Sequence, residues 1–181
     1  MFKILEKILI HQIKKGDEQA FAQFYNTYQP KIYRFVYFKV SDKEKAQDLT
    51  DEVFIKVFHY LKDNEAHEIE NFQAFIFKTA RNLVIDFYRT RKKDVSLDAI
   101  SEIVSKEDIS KKIDNKLDIE KVAKTIKQLS DDYREVIILR FVDGLSFKEI
   151  SQSTGKSLGS CRMLAHRGIK KIKEIIDKQQ G

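Results

Sequence analysis

The chain has 181 residues, of which 42% are hydrophobic and 34% charged, so we expect a globular protein of one domain or two small ones. Its 34 basic and 28 acidic residues give a net charge of +6, which favours a polyanionic partner. The only cysteine, Cys161, excludes an intramolecular disulfide, and no apolar run approaches the roughly 18 residues that cross a bilayer, so we expect a cytoplasmic protein without membrane insertion.

The first ten residues mix apolar and charged side chains. Lys3, Glu6 and Lys7 interrupt the apolar run, and no cleavage site with small residues follows it. The segment therefore predicts an amphipathic helix rather than a signal peptide, with a membrane-surface anchor as the alternative.

Two long helices are predicted next. Gly16-Asp17 offers a cap for the first, whose apolar residues recur at helical spacing: Phe21, Phe24, Tyr25, Tyr28 and Ile32. Pro30 predicts a kink in this helix or its division into two. Ser41-Asp42 predicts the cap of the second helix, which has an apolar stripe of Leu49, Val53 and Val57.

One face of this second helix is acidic. Asp48, Asp51, Glu52 and Ile55 follow i, i+3, i+4, i+7 spacing, next to the apolar Phe54. Acidic residues repel DNA, so this face predicts a contact with another protein. An enzyme site of paired carboxylates is the alternative, but no His or Cys stands at ligand spacing and no nucleophile–base pair is evident. We therefore expect no enzyme activity, no metal and no cofactor.

The segment 71–93 combines aromatic residues with six basic residues and one acidic residue. It predicts a helix over 72–90 with these residues on or near the core: Phe72, Phe75, Ile76, Leu83 and Phe87. A polar stripe follows i, i+4, i+8, i+11 spacing: Lys78, Asn82, Asp86 and Arg89. Such a face suits base edges and phosphates, and nearby aromatic rings suit unstacked bases, unless the rings are simply core.

The middle of the chain differs in charge from both ends. Residues 94–118 have a net charge of −3 and no aromatic residue, whereas 1–93 and 119–181 have net charges of +4 and +5. This composition predicts a flexible linker. Two helices are predicted beyond it, 122–129 and 133–141, and no segment shows the alternation of a strand.

The end of the chain predicts a helix-turn-helix. Ser146 and Glu149 have capping-box spacing, Gly144 and Gly155 permit turns, and Ser157 can cap the last helix. One face of that helix should pack inward: Cys161, Ala165, Ile169, Ile172 and Ile176. The opposite face carries Arg162, Met163, His166 and Arg167, followed by Lys170. This basic face predicts insertion into a DNA major groove; a solvated basic face without a ligand is the alternative.

Together these segments resemble bacterial sigma factors of the sigma-70 family, specifically the small extracytoplasmic-function type. The resemblance covers about residues 10–93 and 119–176. Four stretches carry it in order, namely 16–37, Asp48-Leu-Thr-Asp-Glu-Val-Phe54, 75–93 with Thr79-Ala-Arg-Asn-Leu83, and 129–173.

The resemblance implies an all-α protein of two small helical domains: a sigma region 2 domain at 1–93, a linker at 94–118, and a sigma region 4 domain at 119–181. It implies that the protein binds core RNA polymerase and promoter DNA, reads −10 and −35 elements, and starts transcription at chosen promoters. It also implies an anti-sigma factor acting in trans. A stand-alone helix-turn-helix repressor or activator is the alternative.

The resemblance also assigns residues. The clamp helices of the largest polymerase subunits would contact Asp48, Asp51, Glu52, Phe54 and Ile55. The −10 strand would contact Lys78, Asn82, Asp86, Arg89 and Arg91, with the loop 64–71 around a flipped base. The −35 groove would contact Ser160, Arg162, Met163, His166, Arg167 and Lys170.

The chain departs from the family pattern at several positions. Phe75 stands where the family often has Trp, and Ser151 and Thr154 replace apolar residues of the first helix of the helix-turn-helix. The run Met163-Leu-Ala-His166 replaces residues richer in Arg and Ser. We expect the fold to tolerate these changes and the −35 preference to differ.

Overall fold

The computed structural model describes residues 2–63, 68–94 and 125–180, and every regular element in these ranges is a helix. The prediction of an all-α fold is confirmed. The chain divides into two compact units, 1–103 and 104–181. Apart from Asp94, the segment predicted as a linker lies outside the described residues.

The described residues of the first unit form four helices: α1 (Phe2–Lys14), α2 (Glu18–Val40), α3 (Lys43–Asp63) and α4 (Phe72–Asp94). Helices α2, α3 and α4 pack against one another, and α1 packs on α2 and α3. The amphipathic N-terminal helix is confirmed, since α1 buries Ile10 and Ile13 and leaves Ile8 exposed.

Short polar side chains define where these helices begin. The Asp17 carboxylate accepts hydrogen bonds from the backbone of Gln19 and Ala20 at 2.9 and 3.1 Å, as predicted. Asp42 caps α3 by accepting from the Lys45 N–H at 3.0 Å. Its neighbour Ser41 instead ends α2 in a left-handed conformation, with φ of 55°.

The sequence predicts that Pro30 kinks α2 or divides it, and α2 runs through Pro30 as a single helix, so the division does not occur. A proline inside a helix removes one backbone hydrogen bond. Buried residues on either side of it, Tyr28 and Ile32, anchor both halves of α2 in the core and offset that loss.

An aromatic cluster fills the centre of the first unit. The ring of Phe24 lies 5.1–5.3 Å from the rings of Tyr28, Phe54 and Phe72, at tilted or edge-on angles that aromatic pairs favour. The predicted stripe of Leu49, Val53 and Val57 is buried. Sequence reasoning missed Phe77, which is also buried and packs edge-on against Phe35.

The second unit begins, among the described residues, with a helical segment at 125–127. It continues with α5 (Asp131–Ile137), a π-helical turn (Ile138–Val142), α6 (Phe147–Thr154) and α7 (Leu158–Gln180). The helix predicted at 133–141 is therefore present, but its last residues wind more widely. Of the helix predicted at 122–129, residues 122–124 lie outside the described residues.

The turns of the helix-turn-helix follow the predicted local signals. Ser146 and Glu149 form a complete capping box, with bonds of 3.2 and 2.7 Å. Gly144 and Gly155 both have left-handed φ values, of +76° and +73°. The Ser157 hydroxyl accepts from the Ser160 N–H at 3.2 Å and so caps α7 as predicted.

The inward face of α7 differs from the prediction at Ile169, which is exposed. The buried face consists of Cys161, Ala165 and Gly168, at i, i+4, i+7, and Gly168 takes the place expected for Ile169. A Cβ on Gly168 would lie 2.9 Å from Cγ1 of Ile137, so α5 and α7 approach too closely for a larger residue. Ile172 and Ile176 are half-buried.

Candidate protein and nucleic-acid interfaces

The outer face of α3 presents acidic and apolar side chains together. Asp48 and Glu52 are exposed, Asp51 is half-buried, and Ile55 is 57% exposed. Lys45 lies 3.4 Å from Asp48 and Lys56 lies 3.2 Å from Glu52, both as exposed pairs within the helix. Such pairs contribute little to stability, so both carboxylates are available to a partner's cations.

Phe54 does not belong to this face. Its side chain is 3% exposed, and its ring packs 5.2 Å from Phe24 and 4.7 Å from Tyr25. The assignment of Phe54 as a direct contact of polymerase is therefore corrected. The residue falls on the side of α3 that faces α2, where it holds the acidic face in place.

Asp51 is oriented by its neighbours. The Tyr25 hydroxyl donates to its Oδ1 at 3.2 Å, and the Gln47 amide donates to the same carboxylate at 3.1 Å. Burial, together with the charge of Asp51, raises the pKa of Tyr25, which keeps the phenol protonated as a donor. Asp51 is therefore held in a fixed position beside a groove between α2 and α3, lined by Phe21, Phe58 and His59 among others.

The polar stripe of α4 lies on the surface. Lys78, Asn82, Asp86 and Arg89 are all exposed, at the spacing that places them on one face. The side chain of Arg91 and residues 64–67 of the loop around the expected flipped base lie outside the described residues.

Aromatic side chains accompany this stripe at both ends. Phe75 is half-buried and its ring packs 4.7 Å from that of Tyr60, which is itself 36% exposed. Tyr88 is 42% exposed and donates its hydroxyl to the Lys39 carbonyl at 2.8 Å. Phe72 is core, whereas Phe75 and Phe87 are only half-buried. The structure therefore leaves aromatic surface where a nucleic acid could stack.

The outer face of α7 is basic and exposed. Arg162, Met163, His166, Arg167 and Lys170 all project from the side opposite the buried Cys161 and Ala165. Burial raises the pKa of the Cys161 thiol, in keeping with a packing role. Of the residues predicted for this surface, only Ser160 is half-buried, in the capped first turn.

Lys156 differs from the other basic residues near this helix. Its ammonium lies 2.7 Å from Asp132 of α5, and its carbonyl accepts from the Ser151 hydroxyl at 2.6 Å. The turn between α6 and α7 is thus held by an ion pair with α5 and by a hydrogen bond from α6. Lys156 therefore helps to orient α7.

The polar residues that replace apolar ones in α6 are satisfied within the fold. Thr154 is buried and donates to the Ile150 carbonyl at 2.7 Å, and Ser151 is half-buried and donates to the Lys156 carbonyl at 2.6 Å. These substitutions therefore leave the helix-turn-helix intact, as expected.

Residues 2–63, 68–94 and 125–180 contain neither a candidate membrane span nor a candidate metal site. None of the helices in those ranges is long and apolar enough to cross a membrane. The same part of the chain has no group of three or more His, Cys, Asp or Glu residues that could hold a metal ion.

The chain matches two protein-family models. Residues 24–94 match the model for sigma-70 region 2, and residues 119–172 match the model for sigma-70 region 4. The first match contains α3 and α4, and the second contains the helix-turn-helix.

Relatives and solved structures agree with these matches. The chain is 30% identical to the ECF RNA polymerase sigma factor SigW of Bacillus subtilis, over 98% of this chain and 97% of that protein. It is 26% identical to SigX of the same organism, over 88% of this chain and 85% of that protein.

Two solved structures share the fold. CnrH, solved with the cytosolic domain of CnrY, has a TM-score of 0.71 at 22% identity, covering 95% of this chain and 97% of that one. RpoE from Bartonella quintana, solved with the anti-sigma factor NepR, has a TM-score of 0.66 at 21% identity, covering 87% of this chain and 96% of that one.

Proposed function

We infer the division of labour within this chain from its family, since it belongs to the sigma-70 family of RNA polymerase sigma factors, of the extracytoplasmic-function type. It directs promoter-specific transcription initiation through RNA polymerase and is not an enzyme. A stand-alone repressor is not favoured, because such a regulator has no need of the region 2 unit that precedes the helix-turn-helix.

The region 2 unit, at 1–93, carries the polymerase-binding face in this proposal. Asp48, Asp51, Glu52 and Ile55 supply carboxylates around an exposed apolar side chain, which is the composition of a protein interface with a charged rim. Their partner is the clamp helices of the largest core subunits. Phe54 supports this face from inside.

The same unit captures the −10 element with α4. Lys78 and Arg89 bind the DNA backbone, and Asn82 and Asp86 contact base edges between them. Exposed rings beside this stripe, on Tyr60 and Tyr88, offer stacking surfaces for unpaired bases. Arg91 is the further cation expected at the end of this surface.

The region 4 unit, at 119–181, reads the −35 element with α7. Its exposed Arg162, Met163, His166 and Arg167 lie along one face of a helix whose far side is locked into the core. Lys170 lies farther along the same face and holds phosphate. The acidic segment 94–118 joins the two units in sequence, and its net charge of −3 suits mimicry of nucleic acid in the RNA channel of the polymerase.

The site of action in this proposal is the cytoplasm, where bacterial core polymerase and the chromosome meet. Regulation comes from an anti-sigma factor in trans. The support for this partner is structural likeness, because the two solved structures of similar fold were determined with CnrY and with the anti-sigma factor NepR.

The division of labour is tested by two substitutions with matched controls. Asp48→Lys should weaken binding to core polymerase by about tenfold or more, because it reverses a charge on the polymerase-binding face. It should leave DNA contacts of the assembled holoenzyme unchanged. Arg162→Ala should weaken binding to −35 DNA by roughly 1–3 kcal/mol and leave core binding unchanged.

The controls make the same charge changes on exposed residues at the far end of α7, namely Asp177→Lys and Lys178→Ala. Affinity for core is measured by titration with labelled protein, and affinity for promoter DNA by titration of the holoenzyme. If Asp48→Lys and Arg162→Ala share one defect, the proposed assignment of the two faces is wrong.

A further inference from the structure

Gly159 is the only glycine in the described part of the chain for which the fold provides no reason. Three others occupy left-handed turn positions, namely Gly16, Gly144 and Gly155. Gly168 is required by its close contact with Ile137. Gly159 has no left-handed φ, and a Cβ built on it meets none of the described residues within 4 Å.

Glycine is a weaker helix former than alanine. Gly159 lies in the first turn of α7, directly after Leu158. Glycine is less favourable in a helix than any ordinary residue except proline, because its backbone loses more freedom on folding. Alanine would fit without touching the described residues, so nothing in the described part of the chain requires glycine at this position.

Gly159 lies on the face of α7 that we propose to bind DNA. It precedes Arg162, Met163 and His166 by three, four and seven residues, and is therefore the first member of their exposed stripe. Ser160, the residue expected at this end of the surface, is half-buried. At the start of the stripe the outward surface is therefore the bare helix backbone.

We propose that Gly159 is where the backbone of α7 rests directly against promoter DNA, so that the absent side chain sets how deeply this helix enters the major groove. The inference builds on the proposed −35 role of the region 4 unit. A helix with its side chains is about 10–12 Å across and the major groove about 12 Å wide, so the groove has little spare room.

Depth matters for the residues that follow. The N-terminal part of a recognition helix reaches base edges, and here that part contains Arg162 and Met163. A methyl group on residue 159 lifts this end of the helix, and both side chains lose reach. Gly159 is thus a positioning residue for −35 recognition.

The test uses holoenzyme assembled from core polymerase and the full chain, with Gly159→Ala and Gly159→Leu. The probe is a duplex selected by the unaltered holoenzyme from a pool with a randomised −35 region. We expect Gly159→Ala to lower affinity about tenfold, comparable to one mismatched base pair, and Gly159→Leu to lower it further. The unfolding midpoint of the Gly159→Ala variant should be unchanged or higher.

Two controls isolate the effect. Binding to core polymerase and to a pre-melted −10 fork lacking the −35 region should be unchanged in both variants. Equal or tighter binding of Gly159→Ala to the selected duplex overturns the proposal, and so does a loss that accompanies a lower unfolding midpoint. If the unaltered holoenzyme selects no DNA at all, the proposed function itself fails.

Discussion

At the scale of single residues, helix α3 places two neighbours in sequence in different surroundings. Phe54 is 3% exposed and sits in the aromatic cluster, whereas Ile55 is 57% exposed on the outer face. Both are large and apolar, so composition alone does not distinguish them. Their position on the helix does, because successive residues in a helix are about 100° apart.

This difference predicts that substitution of Phe54 lowers the stability of the fold, whereas substitution of Ile55 weakens binding to core polymerase. Phe54→Ala should lower the free energy of unfolding by about 3–5 kcal/mol, because it leaves a cavity among Phe24 and Tyr25. Ile55→Ala should change it by less than about 0.5 kcal/mol, as for other surface substitutions. Urea denaturation of the two variants measures both values.

The Ile55→Ala variant should instead bind core polymerase more weakly, since the exposed side chain is the apolar centre of the proposed polymerase-binding face. If Ile55→Ala binds core polymerase as tightly as the unaltered chain does, Ile55 is not part of the polymerase-binding face and its proposed assignment is wrong.

At the scale of helices, the local signals in the sequence were sufficient for most element ends. Asp17, the capping box of Ser146 and Glu149, and Gly155 act within one turn of helix, so their residues alone specify the outcome. The exposed stripes of α4 and α7 followed from helical spacing in the same way.

Features that depend on tertiary packing were not predictable in this way. The continuity of α2 through Pro30 is maintained by buried side chains on both sides. The π-helical turn at Ile138–Val142 is a wider helical turn that no residue type predicts. The exposure of Ile169 results from the close approach of α5 at Gly168, which is a contact between distant segments.

The contact between α5 and α7 predicts a large effect of a small substitution. Gly168→Ala should lower the free energy of unfolding by roughly 1–3 kcal/mol, because the new methyl group would overlap Ile137 at 2.9 Å. Gly159→Ala is the matched control on the same helix and should not destabilise.

A double-mutant cycle tests whether the overlap with Ile137 causes this loss of stability. In an Ile137→Ala background the space beside residue 168 is open, so Gly168→Ala should be neutral or stabilising there. Chemical denaturation of the four proteins gives the coupling. A Gly168→Ala cost that persists in the Ile137→Ala background would contradict the clash as its origin.

At the scale of the whole molecule, the distribution of charge matches the distribution of tasks. The two end segments have net charges of +4 and +5, and the stretch between them has −3. Each basic segment contains one helix with an exposed polar face that we propose to bind DNA, and the first also has the acidic face of α3. A regulator that binds a single DNA site needs only one such helix. The presence of two therefore favours a protein that contacts two promoter elements.

The most direct test of this account is transcription reconstituted from core polymerase and the full chain on a library of genomic fragments, with sequencing of transcript 5′ ends. We predict start sites that are absent with core alone, preceded by two shared sequence elements at a fixed spacing, and weakened by Arg162→Ala when the upstream element is intact. Start sites identical to those of core alone, or new sites with no shared upstream sequence, would contradict the account.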